Sequence, residues 1–201
     1  MQTPPVTEAT RIALGDDGSA AGSRYDTTAL ALHWLTAALV VTLFALAQIW
    51  GFLPKGPLRH SLQSIHMSLG LALAAVIVLR ILWRASLSRR VPPIDHGILA
   101  VAAHAMHYLL YLLLIIMITS GPIRHWSQGQ PIGFFGLFSV PAPFTVPTAW
   151  HKPASLVHFW AAWTIIVLAA LHAAAALFHH YMLKNGTLLR MMPSRRPVRG
   201  H

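Results

Sequence analysis

The sequence predicts an all-α membrane protein, a four-transmembrane-helix bundle with both termini in the cytoplasm. Three observations predict it. Hydrophobic residues make up 55% of the 201 residues and charged residues only 10%, whereas soluble domains carry about a quarter charged residues. The apolar residues come in four long blocks. The basic residues lie mostly on one side of those blocks.

The first block runs from Thr27 to Pro54 and carries no charge beyond what His33 can hold. The others run from His60 to Leu79, His96 to Ile123 and Pro153 to Leu183. Each reaches the roughly 20 residues an α-helix needs to cross a bilayer. The predicted helices cover 29–51, 60–84, 96–121 and 154–183. Pro54, Gly56 and Pro57 break the chain between the first two, and "SLSRRVPPID" separates the second from the third. The longest connection, from about Gly121 to Pro153, contains "QPIGFFGLFSVPAPF". Its aromatics suit a segment lying at the outer membrane interface. No internal repeat is visible. The expected organisation is one membrane domain over 25–193, a polar N-terminal tail over 1–24 and a basic C-terminal tail over 194–201. The N-terminal tail has no apolar run of the kind a signal peptide needs.

The net charge of +10 raises the question of nucleic acid. Its distribution answers it. Arg11 and Arg24 precede the first helix. Arg80, Arg84, Arg89 and Arg90 lie at the second turn-around. Lys184, Arg190, Arg195, Arg196 and Arg199 follow the fourth helix. Only Lys55, Arg59, Arg124 and Lys152 fall on the other side. This asymmetry is a topology signal that puts both termini inside, with lipid headgroups as the partner of the basic residues. There are no cysteines, which excludes iron–sulfur clusters and thioether-linked c-type haem.

The chain has 13 histidines, and several fall inside predicted spans, where a polar side chain is expensive and marks function by default. On the fourth helix His158 and His172 are 14 residues apart. That puts them on one face and roughly 21 Å apart along the axis. Each needs a partner at its own depth. His66, early in a helix that enters from outside, matches His158. His33, early in a helix that enters from inside, matches His172. Two levels, each with one imidazole from two helices, fit bis-histidine ligation of haem iron. A small residue follows four positions after each: Ala37, Gly70, Ala162 and Ala176. The rivals His104, His107, His179 and His180 are followed by Tyr108, Tyr111, Leu183 and Lys184.

Arg80 lies 14 residues after His66, at the inner level, where a haem propionate would suit it; the alternative is snorkelling to headgroups, the reading that suits Arg84. His104 and His107 share a face near the inner end of the third helix, as alternative inner ligands or as the lining of a quinone pocket. Arg59, His60, Arg124, His125, His151 and Lys152 gather on the outer side, which would make its mouth electropositive.

The stretches "ALHWL", "SIHMSLG", "AAHAMHYLLYLLL" and "LHAAAALFHHY", the last followed by "TLLRMMP", resemble the bacterial cytochrome b561 family over roughly Arg24 to Pro193. The resemblance implies a protein of the bacterial inner membrane with two haem b groups. Its axial histidines map onto His33, His66, His158 and His172. It also implies electron transfer between the outer face and ubiquinone, with superoxide as the anionic donor in the members that are superoxide oxidases. Two other readings stand beside this one. A cytochrome b subunit anchoring a hydrogenase or dehydrogenase would take its electrons from a protein partner. A haem-free metal transporter would want intramembrane carboxylates or thiols, whereas Asp26 and Asp95 lie just outside the predicted helices.

Overall fold

The structure, a computed structural model, describes residues 26–86, 97–182 and 184. The two tails, the Arg89–Arg90 pair, Asp95, His96 and the "TLLRMMP" stretch lie outside the described residues. Four helices form: α1 (Thr27–Gly51), α2 (Pro57–Ser86), α3 (Ile98–Trp126) and α4 (His151–Tyr181). All four are long and apolar enough to span a membrane.

Their ends differ from the expected ones for identifiable reasons. Asp26 caps α1, its Oδ1 accepting the Ala29 N–H at 2.8 Å, so the helix starts two residues early. The same oxygen accepts the indole N–H of Trp83 at 2.9 Å, tying the start of α1 to the end of α2. α2 begins at Pro57, three residues early, because proline is at home in a first turn. α3 does not stop at Gly121 but runs through Pro122 to Trp126. Proline removes one helix N–H, and membrane helices tolerate this where neighbouring groups satisfy the freed carbonyl. α4 starts at His151, after a 3₁₀ turn at Thr148–Trp150. Pro153 falls in its first turn, where an N–H would have no helical partner.

The long connection is a correction of another kind. It folds into a hairpin of β1 (Ile132–Phe134) and β2 (Phe138–Val140), antiparallel, with Phe134 opposite Phe138. Phe135 and Gly136 take φ of 46° and 74° at the tip, and the Leu137 N–H donates to the Phe134 carbonyl at 2.9 Å. The hairpin rests on α2 at Ser68, which is fully buried. Ser68 Oγ accepts the Phe135 N–H at 2.9 Å and lies 3.3 Å from the Gly133 carbonyl.

α1 packs along α2 and α3 along α4, whereas α2 and α3 touch only slightly. The bundle is thus two antiparallel helix pairs facing one another. A dry cluster of Leu43, Leu73, Ile77, Leu113, Leu114, Ala161 and Ile165 sits at mid-height. Most large apolar side chains on the outside are exposed, Leu79, Leu112, Val167 and Trp160 among them, as a lipid-facing surface requires. The α1–α2 turn and the hairpin share one end of the bundle, the end that the charge pattern assigns to the outer face.

Candidate functional site

Two pairs of histidines face each other across the helix pairs. Near the hairpin end the rings of His66 on α2 and His158 on α4 have centroids 6.4 Å apart. Near the opposite end the rings of His33 on α1 and His172 on α4 are 6.5 Å apart. All four side chains are half-buried. The dry cluster lies between the two levels.

These separations can be tested against a metal. A coordinating imidazole nitrogen lies about 2.0 Å from its metal, and the ring centroid about 1 Å further back. Two imidazoles on opposite sides of one metal therefore have centroids roughly 6 Å apart. Both pairs match that span. His107 does not: its centroid is 5.0 Å from that of His172, too short for a partner across the same metal. It lies alongside the pair. His104 is exposed and does not join it. Among the described residues no group of three or more His, Cys, Asp or Glu is placed to hold a metal ion. A haem needs only two such ligands, since its porphyrin supplies the other nitrogens. Gly70 adds space: a Cβ built there meets nothing within 4 Å.

The hydrogen bonds behind the rings decide which nitrogen is available. His66 donates from Nδ1 to the Leu43 carbonyl at 3.1 Å. His158 Nδ1 lies 3.1 Å from Ser120 Oγ on α3. A carbonyl can only accept, so His66 holds its ring proton on Nδ1 and leaves Nε2 with its lone pair, the state a metal ligand needs, and the Ser120 hydroxyl can accept from His158 in the same way. His104 and His107 donate likewise, to the carbonyls of Ala100 at 2.7 Å and Ala103 at 2.6 Å.

His33 differs. Arg80 reaches its Nδ1 with a guanidinium nitrogen at 2.9 Å, and a guanidinium can only donate, so the neutral ring carries its proton on Nε2 as long as this bond holds. The same guanidinium lies 5.2 Å from the Tyr111 ring centre. Arg80 is thus turned into the bundle at the level away from the hairpin, while Arg84 is exposed. Aromatic walls complete both levels. Trp50 packs edge-on to His66 at 4.9 Å, and Trp34 to His33 at 5.6 Å. His179 and His180, in the last turn of α4, belong to neither pair.

At the hairpin end the basic residues form a group only in part. Arg124 donates from Nε to Ser155 Oγ at 2.9 Å, and its carbonyl is met by His151 Nδ1 at 3.1 Å. His151, Lys152, Ser155, Leu156 and Phe159 line a shallow depression there, Ser155 being three residues before His158. Arg59 is held instead on the α1–α2 turn by the Leu53 carbonyl at 3.0 Å, and His125 reaches the Pro131 carbonyl at 3.2 Å.

The model of the prokaryotic cytochrome b561 family matches residues 24–194. The chain belongs to that family. It is similar to cytochrome b561 homolog 2 of Escherichia coli K12, with 36% identity over 84% of this chain and 91% of the relative. Cytochrome b561 homolog 1 of the same organism is 34% identical over 87% and 99%. A protein of Yersinia pestis named probable superoxide oxidase CybB is 31% identical over 86% and 98%. This b561-family chain is accordingly a multi-pass membrane protein that binds haem b and transfers electrons.

Sequence reasoning missed Ser120, Tyr111, Trp50 and the Leu43 carbonyl. Only Ser120 left a trace: a Ser-Gly-Pro run at the height of His158, which reads as a helix stop rather than as part of a site.

Proposed function

We propose that the chain is a dihaem cytochrome of the bacterial inner membrane that oxidises superoxide at the outer face and reduces ubiquinone within the bilayer. Two superoxide anions yield two O₂ and two electrons. One ubiquinone takes those electrons and two protons to become ubiquinol. In this reading the domain covers 25–193, both termini are cytoplasmic, His66 and His158 hold the outer haem, and His33 and His172 hold the inner one. The observation that carries it is the two imidazole couples, with ring centroids 6.5 and 6.4 Å apart, on either side of an apolar core. The name of the Yersinia relative supports the donor.

Haem b held by these histidines would supply a one-electron couple. The chain does the rest. Arg124, Lys152 and His151 draw an anion toward the outer pair. The leucines and isoleucines between the levels keep water out of the path. Arg80 would give up His33 Nδ1 for a propionate of the inner group, which would let the His33 ring hold its proton on Nδ1 and offer Nε2 to the iron. His107, its proton on Nδ1 and tied to the Ala103 carbonyl, keeps a lone pair on Nε2, which would first take up a proton from water and then pass it to a reduced quinone oxygen. His104 lines the same edge one turn away.

The test is turnover in liposomes that hold the protein and ubiquinone, with superoxide generated outside. The expected result is fast haem reduction and one ubiquinol for every two superoxide anions consumed. Superoxide that leaves the haems oxidised, or reduces them with no ubiquinol formed, contradicts the proposal.

A further inference from the structure

α3 contributes no histidine to either pair, yet two of its residues form the seat of one. Ser120 is 6% exposed, and its Oγ lies 3.1 Å from His158 Nδ1. Gly121 follows. A Cβ built on it would stand 3.2 Å from His158 Cε1 and 3.5 Å from Nδ1. The imidazole therefore lies against bare α3 backbone, where any larger residue would push it aside.

A serine inside a helix usually does something simpler. Its hydroxyl donates back to a carbonyl of the preceding turn. Thr36, Ser61, Ser68, Thr119 and Thr164 all do so, at 2.7 to 3.0 Å. Ser120 keeps only a 3.5 Å contact with the Met117 carbonyl. Its oxygen lies 3.1 Å from His158 Nδ1 instead.

We propose that Ser120 and Gly121 are positioning residues for the outer haem ligand: the hydroxyl accepts the His158 Nδ1 proton and fixes the tautomer, and the glycine fixes the ring plane. The inference rests on the reading of His158 as an axial ligand. A hydrogen bond taken from Nδ1 makes the imidazole a stronger donor to ferric iron. Removing the acceptor therefore raises the midpoint potential of the outer haem alone.

The experiment uses the purified full-length holoprotein, with a haem count, a redox titration and low-temperature EPR. In Ser120→Ala two haems remain, one midpoint rises and one low-spin g-value moves, while the other haem keeps both. Ser120→Thr restores the wild-type values. Ser120→Cys, a weaker acceptor of similar shape, moves the same haem part of the way, and it serves if the alanine variant does not fold. Gly121→Ala shifts the g-value of that haem through ring rotation. The inference is overturned if Ser120→Ala and Ser120→Cys leave both midpoints unchanged, or move both haems together, or if Thr fails to restore them. His158→Ala is the separate control. Retention of both haems there defeats the ligand reading itself, whatever Ser120 does.

Discussion

The two histidine levels are built differently. Near the hairpin end, the rings of His66 and His158 are backed by neutral groups, the Leu43 carbonyl and the Ser120 hydroxyl. At the other level His33 faces the guanidinium of Arg80, and His172 has His107 beside it. At the first level the hydrogen-bond partners of the rings carry no charge, and the cations Arg124 and Lys152 lie further out. At the second a cation bonds a ring directly. Under the proposed function that difference would divide the labour, with electrons arriving at the first level and quinone protonated at the second.

The largest effect expected from breaking this contrast is at the mouth. Reversing two charges with Arg124→Glu and Lys152→Glu should slow the superoxide reaction about tenfold or more at low salt, since steering changes on-rates by roughly 10 to 10³. Added salt should erase much of the difference. Stopped-flow haem reduction measures both. Equal rates for variant and wild type would leave the outer level without its electrostatic role.

A second effect concerns the scaffold of the outer level. Ser68→Ala removes the partner of the part-buried Phe135 N–H at the exposed hairpin tip. The expected loss is about 0.5–1.5 kcal/mol of stability, read by denaturant titration in detergent, with the inner haem spectrum unchanged. Arg80→Ala sharpens the contrast from the other side. A unit charge some 8 Å from a haem is worth about 2 kcal/mol at an effective dielectric of 20. Losing the cation should lower the inner midpoint by roughly tens of millivolts and leave the outer one alone. His107→Ala should slow quinone reduction several-fold with both haems in place, through loss of a general acid–base group. The smallest effect is expected for His104→Ala. Its side chain is exposed and one turn removed from the pair, so its absorption spectrum and haem count should equal those of the wild type.

Much of this was legible in the sequence because bilayer physics leaves few choices. Apolar length places four helices, and depth then follows from residue count along each one. The 14-residue interval between His158 and His172 set two levels, and entry direction assigned His66 and His33 to them. Arg80 at the same interval from His66 did turn inward. What stayed hidden depends on contacts between helices. Nothing in the periodicity of α3 says that Ser120 and Gly121 face α4, and Pro122 disguises them as a helix end. The hairpin was invisible because its strands are three residues each. Its aromatics read as an interface segment, while the serine that anchors it lies 67 positions from Phe135.

The most direct test is the haem count of the purified protein with its reduced-minus-oxidised spectrum, in wild type and in four single variants. The expected result is two haem b per chain. His66→Ala and His158→Ala should each lose the same haem, and His33→Ala and His172→Ala the other. One haem in the wild type, or both haems kept in any of the four variants, would contradict the two-level assignment.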